Sequence, residues 1–351
     1  MSNSNTSLLT NSNFKILITF LDIYRSMNLS RIIDTFFREP KLIWKYYRPF
    51  SWLNKKNEGL YVFCADGKFL HGGMFDRLKG IISIYALAKA QGKEFKIYFV
   101  HPFKLENYLL PNSYNWSLKA HQEVSTSKSL VYSYPLSRPI FGYGECYEPS
   151  RILKERKGEV HFYYGYNSLK EINKKYCTSF DWGELYDELF KPSPHLQKFI
   201  NYYKNEVGCE YIAIHTRFLN LLGDKTETAI NPVLPEEKQN ELKEKISNCI
   251  GDIIKQYHDC RIMIASDSPN FIAYIQQVFP DVYIVPGEIS HIGTHDSNDA
   301  QNIKMFVDYY LMGGAKKVYS IWSEGMWKSA FPEYAAMIGR TEFERVITSS
   351  V

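Results

Sequence analysis

The second half of the chain alternates short apolar runs with longer amphipathic stretches, and this alternation restricts the fold more than any other feature. Tyr211–His215, Arg261–Ala265, Val282–Val285 and Val318–Ile321 read as strands. Pro235–Tyr257, Pro269–Phe279 and Ala300–Met312 read as the helices between them, and Glu324–Phe331 as the start of another. Apolar strands each followed by a helix predict a parallel sheet covered on both faces. The rhythm also occurs near the start. Gly59–Cys64 reads as a strand, residues 66–73 as a loop with three glycines, and Asp76–Gln91 as a helix with Leu78, Ile81, Ile82 and Tyr85 at helical spacing. Phe95–Val100 then completes a βαβ unit. Residues 101–200 show no clear period, and Pro192–Pro194 and Lys204–Glu210 frame a linker and helix between the halves.

A chain of 351 residues is long enough for two domains. The division expected is a disordered Ser/Asn/Thr-rich tail over 1–13, an N-terminal domain over 14–205 and a C-terminal domain over 206–351. The formal charge of +4 is too mild to argue for nucleic acid, and no zinc-finger spacing occurs. None of the six cysteines (Cys64, Cys146, Cys177, Cys209, Cys249 and Cys260) belongs to a Cys-x-x-Cys pair, which predicts free, buried thiols in a reducing cytoplasm. Residues 1–13 lack the cations of a secretory leader. Residues 15–48 carry seven Lys or Arg against three acids, together with Phe36, Phe37, Trp44, Tyr46 and Tyr47. Such a segment suits either peripheral contact with the inner face of a membrane or packing on the protein itself.

Three patches carry the candidate chemistry. The first runs from His71 through Gly72, Gly73, Phe75, Asp76 and Arg77. Paired glycines before a helix let backbone approach a ligand closely. Asp76 there suits helix capping, whereas Arg77 in a first turn opposes the helix dipole. The second is His215-Thr216-Arg217 at a strand end, where an arginine can grip a diphosphate or pair structurally with Asp224. The third has two parts: Ser266-Asp267-Ser268 with Phe271, and Ser320-Ile321-Trp322-Ser323-Glu324-Gly325. Each places small polar residues at a strand end, which suits capping or hydrogen bonds to a nucleotide, and the second is expected to open a helix that receives phosphate. His291 and His295 have metal-compatible spacing, but the intervening Gly-Thr indicates a loop, and no metal is expected there.

The glycine loop with Asp76-Arg77-Leu78, the His215-x-Arg217 strand end, Ser266-Asp267-Ser268 and the late series Asp308, Ser320, Ser323 occur in the same order as in GDP-fucose-dependent fucosyltransferases. Over residues 59–112 and 208–338 the chain resembles the superfamily containing the α1,2- and α1,6-fucosyltransferases and the protein O-fucosyltransferases. It departs from that pattern at Asp76, where the loop usually has Asn, and at Phe218, where the α1,2 and α1,6 groups carry a second Arg.

The resemblance implies an α/β fold of GT-B type, with two Rossmann-like domains facing a cleft. It implies inverting transfer of L-fucose from GDP-fucose to a hydroxyl of a glycan acceptor, in surface polysaccharide or oligosaccharide synthesis. Gly72, Gly73, Arg77, His215, Asp267, Ser268, Phe271, Asp308, Ser320, Ser323, Glu324 and Gly325 would contact the donor. Asp76, or His71 second, would be the base. No Asp-x-Asp occurs, so Arg217 is expected to neutralise the departing diphosphate without metal or other cofactor. A transferase using another nucleotide sugar, and a non-catalytic binder of the same fold, remain as alternatives.

Overall fold

A computed structural model of the chain describes residues 40–47, 59–69, 72–118, 130–133, 152–224, 233–288 and 298–348. The first half contains β1 (Leu60–Ala65), α1 (Met74–Ala90), β2 (Glu94–Phe99), β3 (Leu109–Pro111), β4 (Leu130–Ser133), β5 (Val160–Tyr163), α2 (Leu169–Tyr176), α3 (Trp182–Leu189) and β6 (Phe190–Pro192). α4 (Pro194–Val207) leads into the second half. There follow β7 (Tyr211–Thr216), α5 (Glu236–Gln256), β8 (Arg261–Ser266), α6 (Pro269–Val278), α7 (Asp299–Gly313), β9 (Lys317–Trp322), α8 (Phe331–Gly339) and β10 (Glu342–Ile347).

Two four-stranded sheets, ordered β2-β1-β5-β4 and β10-β9-β7-β8, are parallel throughout; β3 and β6 form a separate antiparallel ribbon. Every residue of β7 is buried, as the central strand of a sheet covered on both faces must be. Alternation sorts its side chains. Ile212 and Ile214 face α5 and α6 through Ile246, Ile250 and Phe271. Tyr211 and Ala213 face the opposite core with Val318, Phe306 and Tyr309. That second core does not stop at the sheet. It continues through Tyr186, Leu78 and Phe63, so residues from both halves share one apolar interior. The expected boundary at 205/206 falls in the last turn of α4.

Several expectations are revised by the local chemistry. No helix begins at Glu324. Gly325 takes φ +85°, Met326 N–H bonds Ser323 O at 3.0 Å, and the chain turns before α8 starts with Pro332 in its first turn. Val282–Val285 contributes a single bridge, Tyr283 to Met263, rather than a strand. α2, α3, β3, β4, β5, β6 and β10 were not expected from the sequence. The five described cysteines are free, yet only Cys64 is buried; Cys177 and Cys209 are exposed, in contrast to the expected buried thiols. The tail over 1–13, His71, and the pair His291 and His295 lie outside the described residues. Among the described residues no helix is long and apolar enough to cross a membrane.

Candidate functional site

The C-terminal edge of the second sheet gathers polar side chains that the sequence spreads over 130 positions. Ala265 pairs with His215, His215 with Ser320, and Ser320 with Arg345, across β8, β7, β9 and β10. In-register neighbours on parallel strands project to one face, so His215, Ser320 and Arg345 form a row. His215 is buried with its ring against Phe331, centroids 5.3 Å apart. Burial first, then Arg217 and Arg345, lowers its pKa to about 3. The imidazole is therefore neutral at physiological pH, and its Nδ1 is buried without a hydrogen-bond partner. Arg345 donates to Ser329 O at 2.9 Å and approaches Glu333 at 3.5 Å, while its Nε is also buried without a hydrogen-bond partner. Two guanidinium groups, each with a carboxylate within 3.9 Å, stand beside a neutral imidazole, and open α/β sheets bind ligands at such edges.

Arg217 begins the loop after β7, and that loop is clamped from two sides. Asp267, at the end of β8, accepts Phe218 N–H at 2.8 Å and Leu219 N–H at 2.9 Å. Trp327 N–H bonds Arg217 O at 3.2 Å. Leu219 has φ +54°, a left-handed conformation that a leucine adopts only when its surroundings enforce it. Arg217 Nε stands 3.9 Å from Asp267 Oδ2.

Several of the expected donor ligands have structural partners in this arrangement. Asp267 is engaged through both oxygens as the brace of the Arg217 loop. Ser268 caps α6, accepting Phe271 N–H at 3.0 Å and donating to Asp224 Oδ2 at 2.5 Å. Asp224 also accepts Asn270 N–H at 2.7 Å, so the carboxylate considered as Arg217's partner braces α6 instead. Phe271 is core, its ring 4.7 Å from that of Phe218. Asp308 lies on α7, paired with Lys304 at 2.8 Å, and burial raises its pKa. Ser320 lies in the strand-edge row. Ser323 is buried in the turn after β9, with Glu324 and Gly325 exposed beside it, so these three offer a turn rather than a helix N-terminus.

The N-terminal half meets this edge through the glycine loop. Gly73 is the N-cap of α1, so Asp76 lies at the third helical position, where its charge suits the dipole, and it pairs with Lys79 at 2.6 Å. A side chain at Gly72 would collide with the Asp76 carboxylate. Arg77 is turned inward: it donates to Gly72 O at 3.1 Å and to His101 O, and its guanidinium lies 5.2 Å from the Phe99 ring centroid. Desolvation lowers its pKa to about 10. Its unfavourable first-turn position thus reflects a tether that fixes the glycine loop. Phe75 crosses the seam between halves, 4.4 Å from Phe331 and 4.7 Å from Tyr309, ring to ring. The chain Phe75–Phe331–His215 connects the glycine loop to the strand edge.

The sequence reading missed Arg345 and Phe331 beside this edge, and gave Phe75, within the first patch, no role of its own. For Arg345 the sequence gives little signal, because the alternation of Glu342-Phe343-Glu344 breaks at Arg345 and Val346. Among the described residues no group of three or more His, Cys, Asp or Glu side chains is placed to hold a metal ion.

No family model matches the chain, and no curated protein matches it. Its solved structural neighbours are GDP-fucose fucosyltransferases. A variant of Arabidopsis thaliana FUT1 in complex with GDP aligns with a TM-score of 0.53 at 11% identity, over 88% of this chain and 76% of that one. NodZ α-1,6-fucosyltransferase soaked with GDP-fucose aligns at 0.49 and 14% identity, over 81% and 93%. POFUT1 in complex with GDP aligns at 0.48 and 12%, over 84% and 100%. The plant alignment places the fold in the GT-B type, with parallel sheets as the sequence predicts.

Proposed function

We propose that the chain is an inverting fucosyltransferase that moves L-fucose from GDP-fucose to a hydroxyl of a glycan acceptor, in the synthesis of a surface polysaccharide or oligosaccharide. The observation that carries this reading is the strand edge that brings together Arg217, neutral His215 and Arg345 in a GT-B fold. In such a transfer the bond between sugar C1 and the diphosphate oxygen breaks through an oxocarbenium-like state, and the acceptor oxygen bonds C1 from the opposite face. Negative charge accumulates on the departing GDP. Arg217, with its planar fork, and Arg345 are the cations that would receive it without a metal, and His215 adds an uncharged hydrogen-bonding group. Asp76, in the first turn of α1, is the candidate to take the acceptor proton, with His71 second.

Thermal shift with GDP, UDP, CMP and dTDP tests the donor class, because a ligand of the folded state raises its melting temperature by mass action. GDP should stabilise most. Equal or greater stabilisation by UDP would remove GDP-fucose as donor. GDP binding without any release of fucose from GDP-fucose, with or without acceptor, would make the chain a non-catalytic binder.

A further inference from the structure

Residues 40–46 are helical and lie on the face of the first sheet opposite α1, where Leu42 and Tyr47 are buried against Val62, Cys64, Phe69 and Tyr163. A chain of buried polar contacts fixes them there. Tyr47 Oη lies 2.8 Å from His161 Nδ1 and 3.1 Å from Tyr163 Oη. His161 Nε2 meets Glu159 at 2.7 Å, and Tyr163 donates to Asp66 at 3.1 Å. This network has no part in the transfer chemistry proposed above. Satisfied polar networks in a dry interior are costly to break, so the helical segment is held in one orientation.

That orientation turns Trp44 outward. It is 85% exposed, more than any other exposed large hydrophobic side chain of the described residues. Lys41 and Lys45 are exposed within one turn of it. The stretch 15–48 carries a surplus of four positive charges. An indole held at the surface among cations matches the headgroup layer of an anionic bilayer, where tryptophan is favoured and each Lys or Arg gains from the surface potential.

We propose that residues 40–47 dock the protein on an anionic membrane surface, with Trp44 entering the headgroup layer and Lys41 and Lys45 against lipid phosphates. The segment adjoins the loop at the end of β1, with Lys68 Nζ 5.7 Å from the Tyr46 ring centroid, and that loop leads to the glycine loop. Docking therefore brings the loop at the end of β1 toward the bilayer. On the transferase reading this suits an acceptor glycan carried by a lipid, but the docking itself does not depend on that reading.

Flotation of the full chain with phosphatidylcholine vesicles, with and without phosphatidylserine, tests the proposal without donor or acceptor. Binding is expected only to the anionic vesicles, and it should weaken as salt is raised. Trp44→Ser should reduce it roughly tenfold or more, with an unchanged melting temperature because the side chain is exposed. Lys41→Glu with Lys45→Glu should reduce it at least roughly fivefold per cation. No binding to anionic vesicles, equal binding to neutral ones, or wild-type binding by the Trp44→Ser variant would overturn the proposal. So would a Trp44-dependent dimer that leaves no vesicle binding, because the tryptophan would then face a second copy of the chain.

Discussion

Arg217 and Asp267 lie 3.9 Å apart, yet their contacts predict opposite consequences of mutation. Asp267→Asn replaces a carboxylate that accepts two backbone N–H groups at 2.8 and 2.9 Å with an amide that can accept only one of them well. Hydrogen bonds to a charged group contribute about 1.5–3 kcal/mol each, and a buried unmatched donor costs about 1–3 kcal/mol. Asp267→Asn should therefore destabilise the fold by about 2–4 kcal/mol. The left-handed Leu219 that this brace enforces adds to the loss. Arg217→Lys keeps the charge and loosens a long ion pair, worth about 0–1 kcal/mol of stability. Its cost should fall on the donor instead. Loss of one charge-assisted hydrogen bond to diphosphate is about 1.5–3 kcal/mol, roughly ten- to over a hundred-fold in GDP affinity or in kcat/KM for GDP-fucose. Denaturant unfolding and GDP titration on the same preparations separate the two. An Arg217→Lys variant that unfolds as readily as Asp267→Asn, while binding GDP like the wild type, would make Arg217 part of the loop's structure and not of a donor site.

His215 has a folded pKa lowered to about 3 from 6.5, so between these values the unfolded chain binds the extra proton and stability must rise with pH. Taking the pH from 7.5 to 5.5 should cost about 1.4 kcal/mol through this group, a dependence that His215→Gln should remove from denaturant curves measured at the two pH values. Gly72→Ala should displace Asp76 and lower transfer while leaving the GDP-induced thermal shift near that of the wild type; a parallel loss of both would place the glycine loop in donor binding rather than acceptor activation. Fucose transfer should persist in EDTA, since Arg217 and Arg345 can take the leaving-group charge. Activity lost on chelation and restored by manganese would defeat the arginine-based account.

The fold class was legible because it follows from patterns that tertiary structure cannot hide. A run such as Tyr211–Thr216, buried at every position, must be a central strand, and Pro269 after Ser268 must open a helix. The strand-end location of Arg217 was legible for the same reason. The composition of the site was less so, because register and loop closure are long-range. Ser320 and Arg345 join His215 in one row only through parallel pairing across 130 positions of sequence. Asp267 reads as a ligand group because nothing in the sequence reveals that Phe218 and Leu219 N–H groups, nearly fifty residues earlier, occupy it. Ser323-Glu324-Gly325 imitates a helix start, whereas Gly325 supplies the positive φ of a turn and Pro332 marks the real beginning of α8.

The apolar interior common to both halves restricts how such a chain can diversify. In a protein whose halves have separate cores, recombination at the junction can pair an old donor half with a new acceptor half. Here a crossover near α4 would bring together strangers at Phe75, Tyr186, Tyr309 and Phe331, which interlock ring against ring across the seam. Each large-to-small mismatch among such buried aromatics costs about 3–5 kcal/mol, and two would consume much of a domain's stability. Exchange of one half alone therefore carries a cost that substitutions in surface loops do not.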